Sequence, residues 1–344
     1  MKRGFMDRNL EFLPPELLKE RRRRFIAGFK EKNIDAAVIY GDVASADELQ
    51  YLTNLGPYWA NATAIIFKDG TTLFVTGLSA RVDKWVAMIT GADLEAVIAA
   101  GPKLNTKVAA VLKEKLGGTG TIGITGPYFP AEMWAAIEET GFKTVFYNHL
   151  PDEQLTVRDE AYQAMLSKGI GLMNKAISKV LTDPAIYALT KKRIAAEVEY
   201  ACRTAGAMDV LVLTGDEHLI FGHPAEVTDQ NSWTLYVQVQ YLGEWFAIAR
   251  NMKPGYSTQA LAARDQAAKE LKPGLDQFSW EKGGYNFSVC TKVLSDHISY
   301  QNTDNHSLNE DQIVSFKVEE KDKGVYLEDM FLVTAEGGQL LTTI

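Results

Sequence analysis

Two stretches of the sequence carry side chains that could do chemistry. The first is Ile220-Phe221-Gly222-His223-Pro224. Glycine and proline place His223 in a turn between a helical region and a sheet, where loops carry function. An imidazole with a pKa near ~6.5 suits a general acid or base at neutral pH. The other histidines, His149, His218, His297 and His306, lack such a setting, and a lone histidine is ordinarily structural or exposed. The second stretch runs from Val325 to Val333 as VYLEDMFLV. Strand alternation puts Glu328 and Asp329 on opposite faces of an otherwise apolar strand. An acid pointing into such a sheet must be paired, hydrogen-bonded or functional; the alternative is a solvent-facing acid at the sheet rim. Glu319 and Glu320, on the neighbouring strand, can approach it. Two facing carboxylates bind a metal or a cationic group, or work as an acid/base pair.

Other signatures of chemistry are absent. There is no G-x-S-x-G elbow and no H-E-x-x-H helix. Cys202 and Cys290 are far apart, so they form no C-x-x-C site and no disulfide framework, and are expected as buried thiols. Gly118 to Gly123 matches G-x-G-x-x-G, but a dinucleotide fingerprint follows a strand and opens a helix. Here the run follows a helix and enters a strand, which makes it a connecting loop.

The elements that must position these residues can be read from composition and periodicity. The chain has 344 residues, enough for about two domains. It is 46% hydrophobic and 23% charged, which excludes a disordered or low-complexity chain. A net charge of −8 argues against nucleic acid or an anionic membrane as main partner. No apolar run approaches a membrane span, and no apolar signal core follows Met1-Lys2-Arg3, so a cytoplasmic location is expected.

Residues 15–35 predict a helix that starts at Pro14-Pro15 and buries Leu17, Leu18, Phe25 and Phe29. Its basic run Arg21 to Arg24 reads as a solvated face. Strands at 36–40, 62–67, 72–75, 94–98, 121–125 and 144–147 alternate with helices at 80–89, 104–116 and 131–140, the pattern of an α/β domain. The second half begins with helices over 159–180 and 193–207. Strands at 233–241 and 245–248, a helix at 258–271, and strands at 313–318 and 326–333 follow. Helices first and strands later indicate α+β.

At these residues the sequence resembles the superfamily of creatinase, Xaa-Pro peptidases (prolidase) and methionine aminopeptidase. Arg193 to Met208 (RIAAEVEYACRTAGAM) is similar to that family's E-x-E-x-A … A … G-A helix. Leu327 to Gly337 (LEDMFLVTAEG) resembles its closing R-x-E-D-x-x-L-V-T-x-x-G strand. The resemblance covers nearly the whole chain. It implies an α+β fold: a pita-bread catalytic domain over 156–344 preceded by a smaller creatinase-type α/β domain over 1–155.

The departures from that family are informative. Its metal-dependent members carry D-x-G-x-x-x-x-G-x-x-S-D, and the corresponding run here goes from Tyr236 to Ala247, both aspartates being replaced. The ligand histidine of G-H-x-x-G falls at Tyr285. Of the two glutamates, one is kept as Glu328. Strand parity assigns the other to Glu319, and a slip of one residue would put Val318 there. Dications need several converging donors, so the dinuclear centre is expected to be missing, with no metal and no cofactor.

Creatinase is the metal-free branch and uses a histidine in a G-x-H-x-P-x-T setting, to which Gly222 to Thr228 (GHPAEVT) is similar in kind. The resemblance therefore implies a metal-independent enzyme for a small polar or aromatic substrate. His223 would transfer the proton, and Glu319 and Glu328 would bind and polarise substrate or hold a water. Tyr236, Tyr285 and Trp245 would line the pocket. Hydrolysis of a C–N bond is the family default; an elimination (lyase) on the same site and a non-catalytic binding module remain open. The family also implies a homodimer, with Arg81 as candidate for an arginine lent to the partner's site.

Overall fold

Local chemistry shapes the first helix. A proline at the first position lacks an N–H that would have had no partner there, and α1 (Pro15–Ala27) begins on Pro15. It stops at Gly28, and a single further turn, α2 (Phe29–Lys32), ends on Asn33 in the left-handed region. The helix expected over 15–35 is thus two pieces. Its basic run is a solvated face only in part: Arg23 is exposed and pairs with Glu20, whereas Arg21 and Arg22 turn inward. Arg21 is buried, its Nη1 donates to the Tyr51 carbonyl at 3.0 Å, and its guanidinium lies 4.3 Å from the Tyr51 ring centroid. Arg22 Nη1 donates to the Leu52 carbonyl at 3.0 Å. Both carbonyls belong to the last turn of α3 (Asp47–Thr53), a helix outside the sequence-based expectation. Its negative dipole end draws the two guanidinium groups inward.

The computed structural model describes residues 11–43, 45–126, 128–147, 159–216, 218, 220–224, 233–252, 258–291, 307–320 and 324–342. His149, His297, His306 and residues 225–228 of the GHPAEVT segment lie outside the described residues. The chain divides into two compact units, 1–157 and 158–344. No described helix is long and apolar enough to cross a membrane.

The first unit holds a six-stranded sheet: β1 (Ala36–Gly41), β2 (Ala62–Phe67), β3 (Thr72–Thr76), β4 (Val97–Ala99), β5 (Thr121–Thr125) and β6 (Lys143–Phe146), in the order β4-β3-β2-β1-β5-β6. β1, β2 and β3 are antiparallel neighbours, and the other pairings are parallel. A short 3-10 turn, Leu94–Ala96, takes the front of the strand expected at 94–98. Alternate residues of β1 go to different cores. Ala37 and Ile39 pack with Leu49, Leu52 and Val86, whereas Ala36 and Val38 pack with Val108, Leu112, Met133 and Ile137. Both faces are therefore covered, the latter by α5 (Leu104–Leu116) and α6 (Ala131–Glu139), with α4 (Asp83–Thr90) on the former.

The second unit opens with α7 (Glu160–Leu181) and α8 (Lys191–Thr204), each started by a side-chain cap, Asp159 and Thr190 respectively. A nine-stranded sheet follows: β7 (Asp209–Gly215), β8 (Phe221–Gly222), β9 (Thr234–Tyr241), β10 (Glu244–Asn251), β11 (Ser279–Lys282), β12 (Tyr285–Cys290), β13 (Ile313–Glu320), β14 (Val325–Thr334) and β15 (Gly337–Leu340). Its order is β11-β12-β13-β14-β10-β9-β7-β8, with β15 on β14, and every pairing is antiparallel.

Register sorts the strands into two faces. Phe287 and Val289 of β12, Phe316 and Val318 of β13, and Leu327 and Phe331 of β14 form one core with Ala260 and Ala267 of α9 (Thr258–Ala267). Tyr241 reaches the same side and touches α7 at Gly169, where a Cβ would meet the ring root at 2.7–3.0 Å. The helices thus cover this face, and Gln238, Gln240, Ser315, Lys317 and Glu328 are left on the other.

Candidate functional site

That other face is built by the alternate residues of five strands. Glu328 of β14 is opposed by Lys317 of β13 and by Ala249 of β10. Ala249 is opposed by Tyr236 of β9, and Ala247 by Gln238. Along β13 the face continues as Ser315, Lys317 and Glu319, and along β12 as Ser288 and Cys290, opposite Lys317 and Ser315. Directly opposed residues have Cβ atoms about 5 Å apart. The register therefore brings two carboxylates, a lysine, two phenols and several neutral polar groups to one face of the sheet.

Glu328 is 1% exposed and its carboxylate is held from two sides. Ser315 Oγ donates to one oxygen, and Tyr326 Oη donates to the other at 2.7 Å. Gln238 Nε2 donates to Tyr236 Oη at 2.8 Å. The rings of Phe221, Tyr236 and Tyr326 form an edge-to-face trio with centroids 5.2–6.4 Å apart. Burial pushes the Tyr236 hydroxyl well above the usual phenol range, and the charge of Glu328 pushes it further. Tyr326 is raised in the same way by burial and then by Glu328. Both tyrosines therefore keep their protons at physiological pH, and Tyr326 donates its own to the carboxylate. Gln240 Oε1, on the same face of β9, has no hydrogen-bond partner among the described residues.

The structure places the expected site residues unequally. Glu328 and Tyr236 come to the common face as expected. Glu319 also lies on that face, as strand parity implies, but it stands opposite Tyr326. The residue across from Glu328 is Lys317, and no sequence-based expectation singled it out. Tyr285 is a correction. Its parity is that of Phe287, so it packs into the helix-side core against that ring and cannot line a pocket around Glu328. Asn286 and Ser288 take the polar face instead. Trp245 is on the polar face opposite Gln240, yet four residues along β10 from Ala249, roughly 13 Å away. His223 is exposed. β8 ends at Gly222, so strand alternation does not carry the imidazole inward after Phe221. Phe221, not His223, reaches the two tyrosines. Arg81 is exposed in the first unit, where its N–H bonds the Ser79 hydroxyl. Cys202 and Cys290 are both buried, and burial pushes the Cys202 thiol up to about 12.

Asp329, the neighbour of Glu328, belongs to the opposite face and to a different task. It is fully buried and accepts from Arg250 Nη2, from Arg264 Nη1 at 2.6 Å and from the Thr342 hydroxyl. Arg250 also donates to the Glu328 carbonyl at 3.1 Å. This network fastens the backbone of β14 from behind while the Glu328 carboxylate is held in front.

The chain has the pita-bread fold of solved Xaa-Pro peptidases and prolidases. Similar structures include an X-Pro aminopeptidase from Thermotoga maritima MSB8 (TM-score 0.72, 18% identity, 94% of this chain and 97% of that one). The prolidase from Pyrococcus horikoshii OT3 matches at TM-score 0.70 with 16% identity, over 94% of this chain and 98% of that one. An Xaa-Pro dipeptidase from Bacillus anthracis matches at 0.69 with 16% identity, over 95% and 98%. No protein-family profile matches the chain, and no curated protein sequence matches it significantly.

A dinuclear centre of the kind the resemblance raises does not fit these residues. Such a centre needs several N or O donors converging on one point. Here Glu328 is opposed by an ammonium, Ala247 and Ala249 bring no donor, and the two tyrosines keep their protons. Among the described residues no three of His, Cys, Asp or Glu assemble into a group able to hold a metal.

Proposed function

We propose that the chain is a metal-independent enzyme of the creatinase and Xaa-Pro peptidase superfamily, acting on a small polar or aromatic substrate at the polar face of the second sheet. One observation carries this reading: a buried carboxylate, Glu328, held by two hydroxyl donors and facing a buried lysine. In it Glu328 takes the proton from the attacking group and gives the same proton to the leaving group, while Ser315 and Tyr326 hold the carboxylate by hydrogen bonds and keep their own protons. Lys317 and Tyr236 orient substrate oxygen, and Glu319 extends the face toward its half-buried end. Cleavage of a C–N bond by water is the default reaction, and elimination by the same acid/base groups is the alternative. The exposed His223 has no part in the proton transfer. The same reading includes a homodimer, with the exposed Arg81 as the residue offered to a second copy; sedimentation at micromolar concentration is expected to read a dimer, and a monomer removes that part.

The test is turnover of a panel of small amides, Xaa-Pro dipeptides and guanidino compounds by protein treated with a chelator. Activity that survives chelation and falls about 10²–10⁴-fold in Glu328→Gln supports the reading. Activity lost on chelation, or kept by Glu328→Gln, refutes it. A second reading is favoured by the depth of the site, since Tyr236, Gln238, Tyr326 and Glu328 are all at most 2% exposed. It is a non-catalytic module with the peptidase fold, for which Glu328→Gln changes ligand binding and no turnover is found.

A further inference from the structure

The two helices that open the second unit carry an apolar row beyond the ones they bury. On α7 the buried row runs through Leu166, Ile170, Met173 and Ile177, and on α8 through Ile194, Val198 and Cys202. A second row, Leu172, Ala176 and Val180, follows at i, i+4 and i+8 along α7, and each of the three is only half-buried. These residues line a cavity of about 640 Å³, together with Ala201 of α8 and with Ile186 and Leu189 of the connection between the helices. The size and the apolar walls are those of a small-molecule site, for which roughly 300–1,000 Å³ is usual. The rim leaves positive charge unpaired. Lys175 and Lys179, one turn apart on α7, line the cavity and are exposed, and neither ammonium has a partner among the described residues. The two acids of the same rim are engaged: Asp183 accepts from the Ala185 N–H at 2.9 Å, and Glu197 pairs with Arg193. Tyr200 also lines the cavity while 70% exposed, an uncovered ring beside apolar walls.

We propose that this cavity binds a small amphipathic monocarboxylate, an apolar chain or ring that ends in one carboxylate. Leaving water drives the apolar part in among Leu172, Ala176, Val180, Ile186 and Ala201. A carboxylate cannot follow it, because nothing on those walls pairs with a charge. It stays at the rim, where the flexible stems of Lys175 and Lys179 let two ammonium groups converge on one anion. Tyr200 covers the apolar part with its ring and keeps its hydroxyl toward water. A cationic ligand is repelled at the same rim. A second copy of the chain is the poorer fit, since a stable contact takes roughly 800 Å² from each partner, far more than a cavity of this size offers. The cavity lies in the helix layer, and α7 packs on the face of the sheet opposite Glu328. The proposal is therefore independent of any chemistry at the polar face.

The experiment titrates sodium decanoate, below its aggregation concentration, into the full chain by calorimetry, with 1-decanol as the uncharged control. Wild type is expected to take up one equivalent of decanoate. The double variant Lys175→Gln/Lys179→Gln is expected to bind decanoate about fivefold more weakly, the effect of two exposed ion pairs, and to bind 1-decanol as wild type does. The proposal is overturned if wild type takes up no decanoate, or if the double variant binds it as tightly as wild type. Ala201→Phe, which fills the cavity, is expected to abolish uptake of both; uptake that survives it is adsorption elsewhere and overturns the proposal. Should Ala201→Phe fail to fold, Tyr200→Glu at an exposed position replaces it. A like charge beside the rim is then expected to weaken decanoate about fivefold, and unchanged affinity overturns the proposal. Sedimentation separates the remaining occupant: a dimer that Ala201→Phe splits, in a protein that binds no decanoate, assigns the cavity to a second copy and also overturns it. All of these readouts are binding or assembly, so an inactive protein would refute the enzymatic reading and leave this one standing.

Discussion

Asp329→Asn tests the anchor behind the site. The wild-type carboxylate sits in a fully buried position between two guanidinium groups on arginines that are themselves more than nine-tenths buried. Asparagine keeps the shape and one acceptor oxygen but removes the charge, and its amide NH₂ then faces a donor. Removing one partner of a buried ion pair costs about 3–5 kcal/mol because the remaining charge stays buried. Arg264 retains a second carboxylate, Asp265, at 2.7 Å, so its charge is not abandoned. Arg250 keeps the carbonyl acceptors of Ala249 and Glu328, which bring no full charge. The lower end, ~3 kcal/mol, is therefore expected. For a unit of roughly 150–250 residues each kcal/mol moves Tm by ~2–4 °C, so the loss is ~6–12 °C. Differential scanning calorimetry of the full chain reads it as a shift of the transition that belongs to the second unit. Glu328→Gln, one residue away on the other face, keeps both hydroxyl partners and is expected to shift that transition much less. A Tm for Asp329→Asn within ~2 °C of wild type would refute the argument that this network holds β14 in place.

Two further outcomes follow from the packing and the charges. Gly169→Ala is expected to destabilise α7 against β9 by ~1–2 kcal/mol: the new Cβ would meet Tyr241 Cδ1, Cγ and Cβ at 2.7–3.0 Å, and overpacking of ~1–3 kcal/mol exceeds the helix propensity gained; urea unfolding checks it, and an unchanged midpoint contradicts it. Asp35 joins the start of β1 to β5 and to the β2–β3 hairpin, and its carboxyl is held below the usual range by the Lys68 ammonium and then by the Thr121 N–H. A depressed carboxyl stabilises above its unfolded pKa near ~3.9 and loses that contribution as pH falls through the folded value. The Tm gap between wild type and Asp35→Asn, worth ~1 kcal/mol with an exposed Lys68, should be full at pH 7 and close below about pH 4.

The parts of this protein legible in sequence are those set by short-range periodicity. Alternation along VYLEDMFLV separated Glu328 from Asp329 and gave each a face, and the structure keeps that separation. The alternation of strands and helices in the first half and of helices then strands in the second corresponds to the two sheets. What stands opposite what is another matter. Parity along β13 puts Glu319 on the face of Glu328, but only the pairing of the two strands decides that Lys317, two residues earlier, is the one across from it. Nothing within β12 states which of its faces will meet α9, so Tyr285 could be read as a pocket residue until register and helix packing turned it the other way. Arg21 and Arg22 are the same lesson in a helix: a run of four arginines reads as solvent-facing, and it takes the carbonyl end of α3, folded 30 residues on, to draw two of them inward. Side-chain direction within an element is a property of a few consecutive residues. The partner of that side chain is a property of chain segments far apart, and only the tertiary fold brings them together.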